Sequence, residues 1–319
     1  MSGLYRSTFL RKRVLITGSN GNLGGKLATY LISTKQFDLF LVDVHEKSKI
    51  KHDIHIPIVE YIQADLRTQQ STWTRRLRRT DVVIHFACAN SQPDATWTDA
   101  AASMDITFNV LLQAAKARVG RVIIASSCHV AGGWKDQGGM KLAQDGSNAL
   151  PGSCEPYVGM MYAAGDKFVD STAYASPHFA AERLASSLAA TFSETSFVAI
   201  RIGSCERGEN RPGSTSPSGQ LSDSDQSRES LCHPGSGSAL DDPGVIDDWF
   251  RSMWLSDEDF IGLFRKCIEC SLEDTKGSCL IMNGVSANGG SRWLPDASKP
   301  PVEFQARSDS STSSSSDDT

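Results

Sequence analysis

Val14-Leu15-Ile16-Thr17-Gly18-Ser19-Asn20-Gly21-Asn22-Leu23-Gly24, followed by Asp43 at the end of the next apolar run, is the stretch that decides the fold. A short apolar strand delivers the chain to Gly18. Residues without a Cβ at 18 and 21 let the backbone turn tightly and approach a pyrophosphate closely. A helix opening near Gly21 presents unpaired N–H groups and the positive end of its dipole to those phosphates. Leu23, Leu27, Tyr30 and Leu31 recur at helical spacing, and Gly24 lets that helix sit close to the strand. Asp43, closing Leu39-Phe40-Leu41-Val42, can accept hydrogen bonds from a ribose diol and repels a 2′-phosphate. The pattern predicts a dinucleotide site with NAD favoured over NADP.

Further apolar runs at 59–62, 82–86, 122–125 and 197–200 alternate with helical patterns. Strands separated by helices imply βαβ crossovers, so the expected fold class is α/β, a doubly wound parallel sheet of the Rossmann type. Residues 1–205 are read as the NAD-binding domain including the catalytic helix, and 246–300 as a small carboxyl-terminal substrate-binding lobe. Two segments break the rhythm: 133–173 is a long Gly-, Asp- and Ser-rich connection, and 206–245 is a Ser/Gly/Pro/Asp stretch expected to be a disordered insert. Residues 301–319 are expected to be a disordered Ser/Asp-rich tail.

Composition narrows the classes. A chain of 319 residues can bury a full core, and a net charge of -5 disfavours nucleic acid and anionic membrane as partners. No apolar run approaches the roughly 18 residues of a membrane span, and the first ten residues lack a signal-peptide core, so a cytoplasmic protein is expected. The eight cysteines are scattered, which fits reduced thiols better than a disulfide framework. Cys267 and Cys270 form a CxxC on an expected helix starting at Ser256, and without a second ligand pair they read as packing, with no metal site. Trp249 and Trp254 read as packing residues, and His85, inside an apolar strand, as a hydrogen-bonded core residue.

Ala125-Ser126-Ser127-Cys128-His129 follows the fifth strand, at the carboxyl edge where a parallel sheet forms its ligand crevice. Tyr174 and His178 precede and enter a helical pattern over 178–189, so a helix beginning early enough puts both on one face. With TGSNGNLG, the strand-end Asp43, Asp65-Leu66, HFACA at 85–89 and ASS at 125–127, residues 13 to about 204 resemble the extended short-chain dehydrogenase/reductase superfamily, also described as NAD-dependent epimerases/dehydratases. Within it the chain looks most like uronate dehydrogenases, on SSCH at 126–129, RIGSC at 201–205, WLSDEDF at 254–260, GVSAN at 284–288 and Trp293.

The resemblance implies NAD-dependent oxidation of the anomeric hydroxyl of a hexuronate, a small-molecule sugar acid, to an aldarolactone. Carried over, Tyr174 is the general base, Ser127 holds the reacting oxygen, and His178 occupies the partner position on the helix. Gly18, Asn20, Gly21, Asn22, Leu23, Gly24, Asp43, Asp65, Leu66 and Ala87 hold the dinucleotide. Cys128, His129, Ser204 and either Asn90 or Ser91 face the substrate. A carboxylated substrate also calls for a guanidinium, with Arg251 the first candidate and Arg211 the second.

The chain departs from the superfamily at His178, where Tyr-x-x-x-Lys becomes Tyr-x-x-x-His. A lysine carries a permanent charge that favours a tyrosinate; histidine is mostly neutral above pH 7. The helix after the fourth strand matches the usual asparagines only as Ser103 and Asn109. Two other readings stay open: a nucleotide-sugar epimerase or dehydratase of the same superfamily, and a catalytically impaired NAD-binding protein. Whether the chain forms a homo-oligomer is left open too.

Overall fold

The computed structural model describes residues 11–46, 48–50, 59–69, 71–135, 149–164, 167–208, 210–212, 243–271, 275–295, 297 and 301–311. Its centre is a sheet built from β1 (Lys12–Thr17), β2 (Phe37–Asp43), β3 (Val59–Gln63), β4 (Val82–His85), β5 (Arg121–Ser127), β8 (Ser196–Ile202) and β9 (Cys279–Gly284). These 7 strands lie in the order β3-β2-β1-β4-β5-β8-β9 and every pairing is parallel. The order reverses between β1 and β4, which opens a crevice at their carboxyl ends. A separate antiparallel hairpin joins β6 (Met161–Ala164) to β7 (Lys167–Asp170).

Alternation along each strand splits the core into two layers. Val14, Ile16, Leu39, Leu41, Val82, Ile84, Ile123, Val198 and Ile200 face one side, where they meet Leu27, Ala28 and Leu31 of α1 (Asn22–Thr34) and Phe260, Leu263, Phe264 and Cys267 of α6 (Asp257–Glu269). Leu15, Phe40, Val42, Val83, Val122, Ile124 and Phe197 face the other. There they meet Trp73 and Leu77 of α2 (Ser71–Leu77), Val110, Leu111 and Ala114 of α3 (Trp97–Lys116), and Ala181, Ala185 and Leu188 of α4 (Thr172–Thr191). The helix starts follow local chemistry: Thr96 and Asp99 form a capping box on α3, and Ser256 accepts the Asp259 N–H on α6.

The expected boundary at 205 is corrected. α6 and β9 complete the main sheet, because β9 pairs with β8 from Phe197↔Cys279 to Ile202↔Gly284. A smaller lobe exists, but several segments build it: Cys128 and Ala131 after β5, Met160, Tyr162, Ala164 and Val169 of the hairpin region, Ile246, Trp249 and Phe250 of α5 (Pro243–Ser252), then Met253, Val285 and Trp293. Trp249 and Trp293 meet edge-on at 5.3 Å and are buried, as packing residues should be.

The expected tail is corrected over 301–311. The carboxylate of Asp259 is buried and needs donors. The backbone N–H groups of Arg307 (2.9 Å) and Ser308 (3.0 Å) supply them, while Val302 and Phe304 join the core. Likewise Glu206 and Asn210 are held in place by hydrogen bonds described below. The remainder of the expected insert, 213–242, lies outside the described residues, as do 136–148 of the long connection and 312–319 of the tail.

Two buried arginines interrupt apolar strands. Arg121 in β5 donates to the carbonyls of Cys267 (2.6 Å) and Ser271 (2.8 Å), at the carboxyl end of α6 where a cation is favoured. Arg201 in β8 makes a bidentate pair with Glu182 of α4, Nε to Oε1 and Nη2 to Oε2, both at 2.9 Å, with the two side chains 1% and 0% exposed. Removing one member would strand the other charge. Glu182→Ala is therefore expected to lower unfolding stability by about 3–5 kcal/mol, read as a reduced urea midpoint at constant m value.

Candidate active site

At the crevice between β1 and β4 the cleft reaches about 760 Å³, within the range of ligand sites. Its cofactor end is the glycine turn. Gly18 sits at φ 67, and a Cβ there would lie 2.8 Å from the Ala87 nitrogen; a Cβ on Gly24 would run into the Gly18 carbonyl. That close approach brings α1 up to β1. Gly21 caps α1 with no side-chain hydrogen bond, and the first turn holds no acidic residue, so its N–H groups and dipole face the cleft beside Asn22 and Leu23.

Asp43, at the end of β2, is buried at the wall. Its Oδ2 accepts the Asn20 N–H at 2.8 Å, and Oδ1 lies 2.6 Å from His45 Nδ1. Asp65 and Leu66 border the same end after β3. Arg67 grips Asp65 through Nε (3.1 Å) and Nη2 (2.7 Å), which holds that carboxyl below its ordinary range. Asn109 donates to the carbonyls of Leu66 (3.1 Å) and Arg67 (2.8 Å), and Ser103 accepts the Ala89 N–H at 3.0 Å. The two α3 positions that match the usual asparagines thus each pin one loop of the cleft.

The reacting end lies at the carboxyl edge of β5. Because α4 begins at Thr172, Tyr174 and His178 share a face one turn apart, and their rings meet at 4.9 Å. Ser127 borders the cleft with Tyr174 and accepts the His129 N–H at 3.2 Å. His129 and Tyr174 meet edge-on at 5.2 Å. Asn90, Ser91 and Ser204 also border the cleft. Asn90 is tied to Asp99 at 3.3 Å, whereas Ser204 is fixed through its backbone to Met253 and Leu255, each at 2.8 Å. His85 bridges Thr17 (2.8 Å) and Thr107 (3.1 Å), so it is a bonded core residue that also reaches the cleft wall.

One expected substrate contact is corrected. Arg251 lies on the outer face of α5, exposed and paired with Asp248 at 3.2 Å, away from the cleft. Cys128 borders the cleft but turns its thiol to the Arg201 carbonyl, 3.3 Å away. Three contributors escaped the sequence reading: Arg207, inside a stretch taken as unstructured, Glu182 and its partner Arg201. A charged residue inside the apolar run 197–202, and a carboxylate one turn beyond His178, were the available signals.

Burial governs protonation here. It pushes Tyr174 up to about 12, opposed by the Ser127 hydroxyl, which favours the phenolate. It lowers His178 to about 4, opposed by the Ala125 carbonyl and the charge of Glu182. It also lowers His85 and His129 to about 3, reinforced in each by the charge that His178 would carry. His178 is thus neutral near pH 7. Its Nδ1 lies 3.2 Å from the Ala125 carbonyl, which can only accept, so Nδ1 carries the proton and Nε2 is a bare acceptor. For His129 the Ser171 hydroxyl donates to the Met160 carbonyl (3.2 Å), so the ring donates from Nδ1 to Ser171 (2.8 Å) and again leaves Nε2 as acceptor.

A model of the NAD dependent epimerase/dehydratase family matches residues 14–256. The chain belongs to this family. Among solved structures it is similar to a mutated uronate dehydrogenase, with a TM-score of 0.59 and 18% identity over 95% of this chain and 84% of that one. It is also similar to MoeE5 in complex with UDP-glucose and NAD, with a TM-score of 0.53 and 18% identity over 86% of this chain and 76% of that one. At that identity the likeness shows the fold. Among curated proteins none matches significantly. As in its family, the cofactor is NAD, and the residues present fit it: a side-chain-free helix start in a cradle that a Cβ would fill, and a carboxylate at the end of β2. No helix among the described residues is long and apolar enough to cross a membrane.

The histidines generate a pH prediction. Each folded value lies below the unfolded reference of about 6.5, so the unfolded chain binds more protons as the pH falls below that value. Stability should fall as the pH drops from about 6.5 to about 3, with unfolding taking up about three protons near pH 5 from His85, His129 and His178. Urea midpoints across this range check it, and His129→Gln should reduce the uptake by about one proton.

Proposed function

We propose that the protein oxidises the anomeric hydroxyl of a cyclic hexuronate to an aldarolactone, with NAD as hydride acceptor. The observation that carries this reading is the placement of Ser127 and Tyr174 together in a cleft continuous with the glycine turn. The bridge between Ser204 and Trp254 supports it further, since it joins the RIGSC and WLSDEDF stretches into one wall beside Met253. The fold likeness to a uronate dehydrogenase over 95% of the chain agrees with it.

In this reading Ser127 positions the anomeric oxygen and Tyr174 removes its proton as the C–H electron pair leaves the ring carbon. NAD, when bound, supplies the acceptor for that hydride. The carbon becomes the lactone carbonyl, and the proton remains on Tyr174 until solvent takes it up. His129 offers bare Nε2 to a sugar hydroxyl, and Ser204 with Asn90 or Ser91 lines the same end. Neither Arg251 nor Arg211 borders the cleft, so neither is assigned to the sugar carboxylate.

His178 sets the operating pH. A neutral imidazole adds no positive charge to offset a buried phenolate, so Tyr174 is a reluctant base near neutrality. Purified protein with NAD and galacturonate or glucuronate is expected to form NADH, with kcat/KM rising steadily from pH 7 to pH 10. His178→Lys should move that rise at least about one pH unit lower, because an ammonium stabilises the phenolate. No turnover of either sugar by either variant, with NADH binding intact, would overturn the reading in favour of a binding role; turnover of nucleotide sugars alone would favour an epimerase or dehydratase.

A further inference from the structure

The geometry points to Arg207 as the cation that clasps the NAD pyrophosphate, held at the N-terminus of α1 by a loop that α1 itself ties down. The first residue of α1, Asn22, donates from Nδ2 to the Cys205 carbonyl at 2.8 Å. One turn on, Lys26 Nζ donates to the Glu206 carbonyl at 2.6 Å. These bonds lay the backbone of 205–206 along the opening turn of the helix that faces the phosphates. Arg207 comes next, and it borders the same cleft as Gly21, Asn22 and Leu23. Two extended residues span at most about 7 Å, so the Arg207 backbone stays within side-chain reach of the helix start.

The far side of the loop is fixed as well. Asn210 donates from Nδ2 to the Leu255 carbonyl (2.6 Å) and to Asp257 Oδ1 (3.1 Å), while its Oδ1 accepts the Glu206 N–H (3.2 Å) and the Trp254 indole (3.2 Å). Asp257 Oδ1 also receives Lys26 Nζ at 2.6 Å, so one carboxylate oxygen joins the cofactor helix to the loop. Arg207 is therefore presented from a braced backbone, which lowers the entropy lost when its guanidinium is ordered.

Charge balance singles out this residue. Helix-terminal N–H groups alone supply only partial charge to a dianionic pyrophosphate. The other cations nearby have tasks: Lys26 holds Asp257, and Arg67 holds Asp65. The Lys49 N–H is hooked to Asn20 Oδ1 (2.8 Å) beside Asp43, at the ribose end. Among the described residues Arg207 and Lys49 are the Lys and Arg side chains that border the cleft without an ion pair, and Lys49 stands at the ribose end, its backbone tied to Asn20. A guanidinium matches the paired oxygens of a pyrophosphate bidentately, where a lysine would act as a point charge.

This assignment depends on NAD binding and not on which sugar is oxidised. Its test is a set of dissociation constants for NADH by fluorescence, and for ADP-ribose and adenosine by calorimetry. Arg207→Ala and Arg207→Gln are both expected to weaken NADH and ADP-ribose by about tenfold, to leave adenosine unchanged, and to lose part of that difference at high salt. Arg251→Ala, outside the cleft, serves as the control and should bind all three ligands as the wild type does. Unchanged NADH and ADP-ribose affinities in both Arg207 variants would overturn the assignment and leave Arg207 to the substrate. Equal weakening of adenosine would overturn it too, since the effect would not then follow the phosphates.

Discussion

A bidentate ion pair closed to water, Arg201 with Glu182, fixes the relation between the helix that carries Tyr174, the strand that carries Ser127 and the strand that leads into Ser204. Glu182 also receives the Ser126 hydroxyl at 2.7 Å, so one carboxylate links α4, β5 and β8. A buried pair of this kind adds little net stability compared with apolar packing, but it tolerates few alternative arrangements. Tyr174 is therefore set beside Ser127 by a polar lock, with the aromatic edges of His129 and His178 meeting its ring.

The same economy of position shapes the cofactor end. The glycine contact of α1 with β1 aims the helix start into the cleft, and Asn22 and Lys26 on that helix reach across to the segment following β8. The two ends of the ligand site are thus mechanically joined. Asp257 belongs to the first turn of α6, so the joint runs on through Ser256 and Ser286 to Asp259 and the backbone of Arg307 and Ser308. The chain's final described segment is part of the wall's support.

His178 adds no positive charge beside Tyr174. A lysine would bring a charge that burial must tolerate; the imidazole stays neutral and donates to the Ala125 carbonyl instead. A neutral imidazole is easier to bury and offers a Tyr174 phenolate no counter-charge.

Much of this was legible in the chain itself. Strand and helix periodicity, the Gly18–Gly24 turn and Asp43 follow from local rules, because backbone sterics and apolar spacing act over a few residues; they fix the parallel sheet and the dinucleotide site. The early start of α4, which puts Tyr174 and His178 on one face, was legible only as a condition. The rest needed the fold. β9 belongs to the main sheet because its partner β8 lies about eighty residues earlier, a pairing that no local pattern encodes. Arg251 and Arg207 look alike in sequence, yet one pairs with Asp248 outside and the other borders the cleft. The Ser/Asp composition of the tail gave no hint that Asp259, buried and in need of donors, would draw in the backbone of 307–308. Sequence determined what forms locally and which cofactor suits it; the tertiary structure decided which charges are buried, because desolvation depends on neighbours that are distant along the chain.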